Sequence, residues 1–458
     1  MRNSWRAAPI PPSAFRLPYF TLGLLHSAFR IPHSKMNLAV LGLWHLGCVT
    51  AACCARHFPV VGLDFDEPTI DRLQQGQAPL FEPGLNERIA AGLAAGQLRF
   101  TTDPQAACAR ADILWVTDDT PVNEHDESDV AFVLERLRRC LPHLPAGALV
   151  LISAQLPVGT CRALEIEYPR FRFACSPENL RLGKALEAFE KADRVIVGVR
   201  DDSSKELLGA LFKPFTPQVL FMRPESAEMV KHALNSFLAL SITFINEIAR
   251  LCEHVGADAR EVSAGLKSEP RIGPKAYLGP GGPFAGGTLA RDVVTLTRLA
   301  AQQRETLSLI PAIKASNDLH RGWSFRRLQS RLGDLRGKTI AVLGLTYTPN
   351  TDTLRRSAAV ELCRQLLTAG ATVRAFDPAV KRLPPDLERV TLAGDIPAAL
   401  AGADAAVVCT EWPAFRQAAW GDLLPRMRQP VVVDANRFLD PQLTSLPGVE
   451  HVCVGRPV

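Results

Sequence analysis

The chain has 458 residues, of which 47% are hydrophobic and 22% are charged, and its formal net charge is +5. These values indicate an ordinary globular protein of two or three domains with ample core. We expect no nucleic-acid partner, because no Lys/Arg run with interleaved aromatic residues occurs. We also expect no membrane partner, because no apolar stretch reaches the roughly 18 residues of a membrane helix. The small positive charge mildly favours anionic ligands.

Eleven cysteines are scattered along the chain, and no Cys-x-x-Cys spacing occurs among them. The pattern therefore predicts that the protein has no metal site. We interpret the cysteines as buried thiols of a protein in the reducing cytoplasm.

Residues 1–35 differ in composition from the rest of the chain, with five basic residues, five prolines and no Asp or Glu. A strand is predicted immediately after Met36. We therefore expect this basic extension to lie outside the fold, with Met36 as the initiator. A targeting peptide is the alternative, although Tyr19–Leu25 is a poor apolar core for secretion.

The first domain is predicted at residues 36–221, where strand patterns alternate with helical patterns such as Leu46–Arg56 and Val130–Cys140. Alternation of this kind predicts a doubly wound parallel sheet. The predicted strands are Asn37–Leu41, Pro59–Leu63, Ile113–Val116, Leu149–Ser153 and Arg194–Val197.

The second domain, residues 222–325, is predicted to be helical. A run without Gly or Pro over Ala227–Glu253 indicates one long helix with an apolar face. We expect that face to be buried between domains or against a partner subunit. It comprises Val230, Leu234, Phe237, Phe244 and Ile248.

The third domain is predicted at residues 326–458, where Thr339–Leu345 repeats the opening of the first domain, Asn37–Leu43. This half lacks a complete Gly-x-Gly-x-x-Gly turn, so we expect it to bind something other than a dinucleotide, or only half of one. The predicted fold class is α/β, with two Rossmann-like doubly wound parallel sheets joined by a helical central domain that contains a long helix. Predicted elements of the third domain are a helix at Ser357–Ala369 and strands at Thr372–Asp377, Ala405–Cys409 and Val431–Val433.

The start of the first domain matches a dinucleotide fingerprint, which needs a strand, a Gly-rich turn, a helix N-terminus and an acid about 20 residues further on. The turn contains Gly42 and Gly47, and the acid is Asp64. An acid at this position accepts a ribose 2′-hydroxyl and repels a 2′-phosphate. The pattern therefore favours NAD over NADP as the cofactor.

Trp44 stands where the fingerprint has the glycine that lets the backbone approach the pyrophosphate. Its amide can still donate, but its ring must point away from the cofactor or stack on it. Our hypothesis is that NAD binding is retained in an altered form. The alternative is that the ring fills the groove and the site is inactive.

The segment Gly281–Asp292 resembles the active-site signature of the nucleotide-sugar 6-dehydrogenases, the UDP-glucose and GDP-mannose dehydrogenase family, which usually reads Gly-Gly-Ser-Cys-Phe-Pro-Lys-Asp. Aligned on Gly286 and Asp292, the chain has Thr288 at the position of the nucleophilic Cys. The resemblance implies oxidation of a primary alcohol to a carboxylate in two hydride transfers to NAD. Without the Cys, four outcomes are open: full oxidation through water, arrest at the aldehyde, binding without turnover, or rescue by Cys175, which is otherwise a buried structural thiol.

Further motifs follow in the order of the family over Met36–Val458. Asp118–Pro121 resembles Val-Pro-Thr-Pro with an acidic departure, and Gln155–Thr160 resembles an element whose Thr has become Gln155. The cofactor contacts that the resemblance and the fingerprint imply are Gly42, Trp44, Gly47, Asp64, Thr120, Pro121 and Gln155.

Two segments resemble the catalytic elements of the family: Ser176–Gly183, which is similar to Asn-Pro-Glu-Phe-Leu-Arg-Glu-Gly, and Ala227–Asn235. Lys231 and Asn235 lie one helical turn apart, so they share a face and would stabilise a developing alkoxide. The catalytic residues implied are Glu178, Lys231, Asn235, Thr288 and Asp292.

Arg271 matches a family residue that reaches the sugar nucleotide of the neighbouring subunit, which implies a homodimer at least. Tyr347–Asp352 resembles the nucleotide-holding segment Phe-Lys-Pro-Asn-Thr-Asp. Substrate contacts implied are Leu180, Arg271, Gly286, Tyr347 and Arg437. The resemblance therefore favours oxidation of UDP-glucose for polysaccharide precursor synthesis, and the alternative is a non-catalytic nucleotide-sugar-binding homologue.

Overall fold

The computed structural model describes residues 36–123, 126–178, 180, 182–285 and 288–457. The predicted basic extension, residues 1–35, lies outside the described residues, and so does Gly286.

The first domain forms, in its described part, an eight-stranded sheet in the order β3-β2-β1-β4-β5-β6-β7-β8. The strands are β1 Leu38–Leu41, β2 Val60–Leu63, β3 Leu98–Thr101, β4 Ile113–Val116, β5 Leu149–Ile152, β6 Arg172–Cys175, β7 Val195–Gly198 and β8 Val219–Met222. The helices are α1 His45–Cys54, α2 Glu67–Gln74, α3 Leu85–Ala94, α4 Pro104–Cys108, α5 Val130–Cys140, α6 Thr160–Glu167, α7 Ala185–Glu190 and α8 Asp202–Phe212.

The central strands β1, β4 and β5 are buried along their whole length, because helices cover both faces of the sheet. The order of the strands reverses beside β1, and a crevice opens there at the carboxyl ends of β1 and β4. One feature departs from the predicted parallel sheet: β7 meets β6 in antiparallel pairing at Cys175 and Gly198, so β7 and β8 run opposite to the other strands.

The central domain contains the long helix α9, Pro224–Val255, which begins with a proline and ends at Gly256 with a φ of +77°. Its side toward the other helices carries small residues, and Ala239 packs with Val293 and Ile313. The other helices of this domain are α10 Ala259–Ser268, α11 Thr288–Gln302, α12 Leu309–Arg321 and α13 Trp323–Leu332.

The apolar face predicted on the long helix is only partly buried within the chain, because Val230 and Ile248 pack against the cores of the two sheets while the phenylalanines do not. Phe237 is 66% exposed and Phe244 45%, and Leu251 further along is also exposed. The buried positions are instead small or polar, such as Ala239 and Asn246. The expectation of burial between domains is therefore wrong for these phenylalanines, and burial against a partner subunit stays a prediction.

The third domain forms, within the described residues, a six-stranded parallel sheet in the order β11-β10-β9-β12-β13-β14. The strands are β9 Thr339–Leu343, β10 Thr372–Phe376, β11 Thr391–Leu392, β12 Ala405–Val408, β13 Val431–Asp434 and β14 Glu450–Val452. The helices are α14 Ala358–Thr368, α15 Ile396–Leu400, α16 Pro413–Gln417, α17 Trp420–Leu423 and α18 Asp440–Leu443. Two sheets joined by a helical domain confirm the predicted fold class.

Helix α13 spans the predicted boundary between residues 325 and 326, and its Trp323 and Leu328 lie in the core of the second sheet. In the described part of the chain, none of the helices combines the length and apolar character needed to cross a membrane.

Candidate active site

The predicted cofactor turn is present at the carboxyl end of β1. Gly42 has a φ of +91°, a conformation that favours glycine, and α1 begins three residues later. A Cβ on Gly47 would overlap the carbonyl oxygen of Gly42, so the second glycine is also required. The amide of Leu43 donates to Asp64 Oδ2 at 2.7 Å, which fixes the turn to the end of β2. These features fit a dinucleotide phosphate at the N-terminus of α1.

Trp44 precedes the first residue of α1 and is 47% exposed on the rim of the main cavity. The ring is therefore not buried under the turn. The next residue, His45, points its Nε2 at Glu82 Oε2, 2.9 Å away. Leu46, in the first turn of α1, lines the main cavity together with Trp44 and His45.

A group of two acids and one arginine lies beside the turn. Arg136 donates from Nη2 to Asp64 Oδ1 at 3.0 Å and from Nε to Asp118 Oδ1 at 2.7 Å. Burial raises the pKa of Asp118 to about 6, Arg136 opposes this shift, and the charge of Asp64 adds to it. Asp118 and Arg136 were not among the predicted site residues, although the acidic departure at Asp118 was visible in the sequence.

The main cavity has a volume of about 520 Å³ and draws its walls from all three domains. Six of the twelve predicted catalytic and cofactor residues line it, although they are far apart in the chain. Predicted residues that line it are Trp44, Thr120, Gln155, Glu178, Leu180, Lys231, Thr288 and Tyr347.

Asp292 lies behind the wall of the main cavity and is fully buried. It accepts hydrogen bonds from the side-chain amides of Gln155 and Asn235. The ring of His232 lies on its other side, with Nδ1 2.6 Å from Asp292 Oδ1 and Nε2 3.1 Å from the carbonyl oxygen of Leu156. The carboxylate thus ties α11 to α9 and to the loop after β5.

His232 lines the main cavity and was missed by the sequence reasoning. Its position one residue after Lys231, within the matched element, was the available signal. Both ring nitrogens face acceptor oxygens, and a neutral imidazole donates from one nitrogen at a time, so the ring donates either to Asp292 or to the carbonyl oxygen of Leu156. When it donates to Asp292, it acts with Asn235 to orient that carboxylate.

Lys231 and Arg291 give the cavity wall its positive charge. The ammonium of Lys231 donates to the carbonyl oxygen of Glu178, and Arg291 donates to Gln155 Oε1 and to the carbonyl oxygen of Thr120. Burial lowers the pKa of Lys231, and the charges of Glu178 and Asp292 oppose that shift. Burial also lowers the pKa of Arg291. These cations are suited to stabilise negative charge that develops on a substrate oxygen.

Thr288 is the first residue of α11 and lies where two cavities meet. Cys175 also lines the main cavity, and its thiol donates to the carbonyl oxygen of Pro224 at 3.5 Å. A threonine hydroxyl at this junction can hydrogen-bond to a substrate. It is, however, a far weaker nucleophile than a thiolate.

The second cavity has a volume of about 470 Å³ and follows the loop 279–285 between the central and third domains. The backbone of this loop is held by two asparagine side chains: Gly281 N donates to Asn246 Oδ1 at 3.0 Å, and Gly282 N donates to Asn436 Oδ1 at 2.7 Å. His320 supports the loop from below by donating from Nε2 to the carbonyl oxygen of Gly281 at 2.8 Å. The second cavity shares Thr288 and Tyr347 with the main cavity.

Two predicted substrate residues lie away from both cavities. The side chain of Arg271 is 88% exposed and pairs with Glu269 at 2.8 Å. Arg437 is buried and donates to Asp258 Oδ2 at 2.7 Å. The substrate roles of these arginines stay predictions.

The prediction that the protein has no metal site also stays a prediction. Cys161, Cys175 and Glu228 approach one another closely enough to hold an ion. Both oxygens of Glu228, however, already accept backbone amides, from Gly159 at 2.6 Å and from Cys161 at 2.9 Å.

A dinucleotide turn, a cavity lined by Lys231 beside it, and a second cavity against another Rossmann-like domain fit an NAD-linked dehydrogenase for a nucleotide-type substrate. The chain belongs to the UDP-glucose/GDP-mannose dehydrogenase family. The family's NAD binding domain matches residues 36–216, its central domain residues 225–319 and its UDP binding domain residues 341–441. NAD as the cofactor and a nucleotide sugar as the class of substrate are thus as predicted.

Two relatives of nearly the same length are both named UDP-glucose 6-dehydrogenase. The chain is 34% identical to a UDP-glucose 6-dehydrogenase of Rhizobium meliloti over 438 residues, which cover 92% of this chain and 100% of that protein. It is also 34% identical to a UDP-glucose 6-dehydrogenase of Pseudomonas aeruginosa, with 92% and 98% covered.

Solved structures agree with this relationship. A UDP-glucose dehydrogenase from Pyrobaculum islandicum superimposes with a TM-score of 0.83 at 30% identity, covering 93% of this chain and 99% of that one. A UDP-D-ManNAc dehydrogenase from Pyrococcus horikoshii reaches a TM-score of 0.81 at 25% identity, covering 92% and 99%. The protein is thus an NAD-dependent nucleotide-sugar dehydrogenase.

Proposed function

We propose that this enzyme oxidises C6 of UDP-glucose, in the cytoplasm, for the synthesis of polysaccharide precursors. One observation carries the proposal: the main cavity, which is lined by Trp44 of the cofactor turn and by Lys231, shares Thr288 and Tyr347 with the second cavity. A sugar nucleotide whose nucleotide lies in the second cavity would present its sugar at this junction. The names of the relatives support UDP-glucose as the particular substrate.

The first oxidation needs a hydride acceptor, an acceptor for the hydroxyl proton and support for the developing alkoxide. NAD, when bound, accepts the hydride from C6. Lys231 is suited to the other tasks, because burial lowers its pKa and brings its neutral, proton-accepting form closer to neutral pH. Asp292 and Asn235 keep α11 and α9 in register beneath it.

The second oxidation requires the aldehyde to be presented as a hydride donor. A thiolate would add to the aldehyde and leave after hydride transfer, but the alignment on Gly286 and Asp292 predicts Thr288 at the corresponding position. We infer that the aldehyde either adds water and is oxidised slowly as the hydrate, or is released. Carboxylate formation is then the slower of the two steps.

We also propose that the enzyme is a homodimer or a higher assembly. The exposed residues Phe237, Phe244 and Leu251 follow one another at intervals of seven residues along α9, which places them on one stripe, as in a helix–helix seam. Arg271 is exposed and able to reach a neighbouring subunit. Sedimentation of the full chain as a monomer would rule this out.

The decisive experiment measures NADH formed per UDP-glucose consumed by the full chain. We expect one NADH to form rapidly, with any second NADH forming more slowly. Lys231→Met should lower the first rate by about 100-fold to 1,000-fold, the usual effect of losing one group that stabilises an oxyanion. Lys205→Met, at a partly exposed lysine on α8, is the matched control and should leave the rate unchanged.

The outcomes separate the candidate functions. Two NADH at similar rates would mean that Thr288 or water replaces the thiol efficiently. No NADH with UDP-glucose bound would favour the second candidate, a non-catalytic nucleotide-sugar-binding homologue, which the absence of a thiol at Thr288 supports. No NADH and no binding would contradict UDP-glucose as the substrate.

A further inference from the structure

The ends of β2 and β4 place two carboxylates on the same guanidinium beside the cofactor turn. Arg136 comes from α5, and the side chain lies between Asp64 and Asp118. A Cβ on Gly42 would lie 2.6 Å from Asp118 Cγ, so the second acid sits directly against the turn. Both acids are therefore within the part of the crevice where a dinucleotide's adenosine half is held in this fold.

Asp64 has little capacity left for a ligand. Its Oδ1 accepts from Arg136 at 3.0 Å and from the amide of Asp66 at 3.1 Å, and its Oδ2 accepts from the amide of Leu43 at 2.7 Å. A carboxylate offers about four lone-pair positions, so one remains. The vicinal diol of a ribose carries two hydroxyl donors.

Asp118 has the capacity that Asp64 lacks. Its Oδ1 accepts from Arg136 at 2.7 Å, while its Oδ2 is buried and has no hydrogen-bond partner. The residue is only 5% exposed, yet it lines the main cavity. A buried carboxylate oxygen without a donor is costly, so its partner is expected to come from a ligand.

We propose that Asp118 is a second acceptor for the ribose hydroxyls of the adenosine half of NAD, beside Asp64, and that Arg136 is the positioning residue that holds both carboxylates. The inference deepens the proposed function and rests on its NAD binding, but it does not depend on turnover. It also gives the acidic departure in Asp118–Pro121 a role.

The charge of the group follows from this arrangement. Two carboxylates and one guanidinium leave one net negative charge where a 2′-phosphate would lie, so NADP binding is disfavoured. Arg139, stacked on the ring of Phe65 at 3.5 Å, is a further cation in the neighbourhood. Equal or tighter binding of NADP would mean that this arginine dominates, and would contradict the proposed charge balance.

The test measures NAD binding by calorimetry with the full chain, without UDP-glucose. Asp118→Ala should weaken NAD binding by roughly 10-fold to 100-fold, as expected for losing a hydrogen bond to a charged group. An NAD analogue with 2′,3′-dideoxyadenosine should lose no more than about 2-fold on the same substitution, because no hydroxyl remains to be accepted. Glu135→Ala, an exposed acid on the same helix as Arg136, is the control of equal charge and should bind NAD as the wild type does.

A second variant addresses folding and positioning. Asp118→Asn keeps the size of the side chain and should give a smaller loss of NAD affinity. This variant tests the role of Asp118 if Asp118→Ala does not fold. Arg136→Lys keeps the charge but cannot donate from a fork to both acids. We expect it to weaken NAD binding and leave UDP-glucose binding unchanged, which a general loss of structure would not do.

The outcomes are distinguishable from those of the proposed function. Wild-type NAD binding with no effect of Asp118→Ala overturns the role of Asp118 and leaves the proposed function standing. An equal effect of Asp118→Ala on NAD and on the dideoxy analogue also overturns it. NAD binding without any NADH formation contradicts the proposed function alone. No NAD binding by the wild type overturns both.

Discussion

The two sheets begin with nearly the same strand and turn, yet they use the turn differently. Gly42 and Gly344 both adopt a left-handed φ, +91° and +87°. In both, the amide two residues after the strand donates at 2.7 Å to an acid at the end of the neighbouring strand, Asp64 in the first sheet and Asp377 in the second. The local sequence therefore produces the same turn twice, a left-handed glycine followed by an amide that donates to an acid of the neighbouring strand.

The surroundings of the two acids differ. Asp377 Oδ2 accepts from the amides of Leu345 and Thr346 and from Trp412 Nε1 at 3.1 Å, and its Oδ1 accepts from the amide of Ala379. The acid of the second sheet is thus saturated by its own fold. The acid of the first sheet shares an arginine with Asp118, which keeps an unused oxygen.

The helices after the two turns differ as well. Helix α1 begins at His45 and aims its amides at the crevice, whereas α14 begins only at Ala358, after a loop that brings Tyr347 to the cavities. The first sheet can therefore hold a pyrophosphate on a helix N-terminus, and the second presents a loop instead. Equivalent strands thus give one ligand site built on charge and one acid that stabilises the fold.

The largest effect should come from exchanging the two acids for alanine. Asp377→Ala leaves several buried donors without a partner, at about 1 to 3 kcal/mol each, so we expect a loss of about 4 kcal/mol in the free energy of unfolding. NAD affinity should stay within about 2-fold, since Asp377 belongs to the other sheet and does not line the main cavity. Asp64→Ala should have the reverse profile, with a smaller loss of stability and a clear loss of NAD affinity. Urea unfolding measures the stability of both variants, and calorimetry measures their NAD affinity. If both variants lost stability and NAD affinity to the same extent, the proposed difference between the two acids would be wrong.

The next largest effect is a loss of stability at low pH, and it comes from His320 beneath the loop of the second cavity. Burial lowers the pKa of His320 from 6.5 to about 4, so the folded state holds this ring neutral beneath Gly281. The stability that it contributes is complete above pH 6.5 and is lost as the pH falls toward 4. Between pH 7 and pH 5 we expect a loss of about 2 kcal/mol.

His320→Gln retains a donor for Gly281 and cannot titrate, so it is the control. The wild type should lose more stability than this variant between pH 7 and pH 5, measured by urea unfolding at each pH. Parallel pH profiles would show that His320 is not held neutral.

The smallest effect is a gain of stability at low pH, and it comes from Asp118 beside the cofactor turn. Burial raises the folded pKa of Asp118 from 3.8 to about 6, against the charge of Arg136 and with the charges of Asp64 and Asp119. The folded state therefore binds a proton that the unfolded chain has already released. Stability from this group should rise by about 1 kcal/mol as the pH falls from 7 to 5.

Comparison of the wild type with Asp118→Asn over the same pH range isolates this gain. The difference in unfolding free energy should move in favour of the wild type at pH 5. A shift in the other direction would place Asp118 among ordinary ion-paired acids and would remove one distinction between the two sheets.

Periodicity and turn chemistry predicted most of the fold. The strands at Asn37–Leu41 and Thr339–Leu345 and the long helix were found close to their observed bounds, because buried strands and long helices leave strong patterns. Short edge strands such as β11, Thr391–Leu392, were not predicted, since two residues carry no usable period. The antiparallel pairing of β7 with β6 was also missed, because pairing direction depends on the connection rather than on the strand.

For the site, the sequence by itself determined the residue types and their order: the turn at Gly42, the acid at Asp64, and Lys231 one turn before Asn235 on a helix. Local spacing suffices for these, because backbone turns and helical faces are set by neighbouring residues. The resemblance of the motifs added the family, which the comparisons confirmed.

The tertiary structure alone decided which groups meet. It placed His232 and Gln155 on Asp292, put Arg136 between two acids, and left Phe237 exposed within the chain on a helix face for which the pattern predicted burial between domains or against a partner subunit. Hydrogen bonds and charges act over a few ångströms in space, whatever the separation along the chain. A sequence pattern can therefore identify candidate site residues. Only packing decides which carboxylate oxygens are hydrogen-bonded within the fold, as in Asp377, and which stay available to a ligand, as in Asp118.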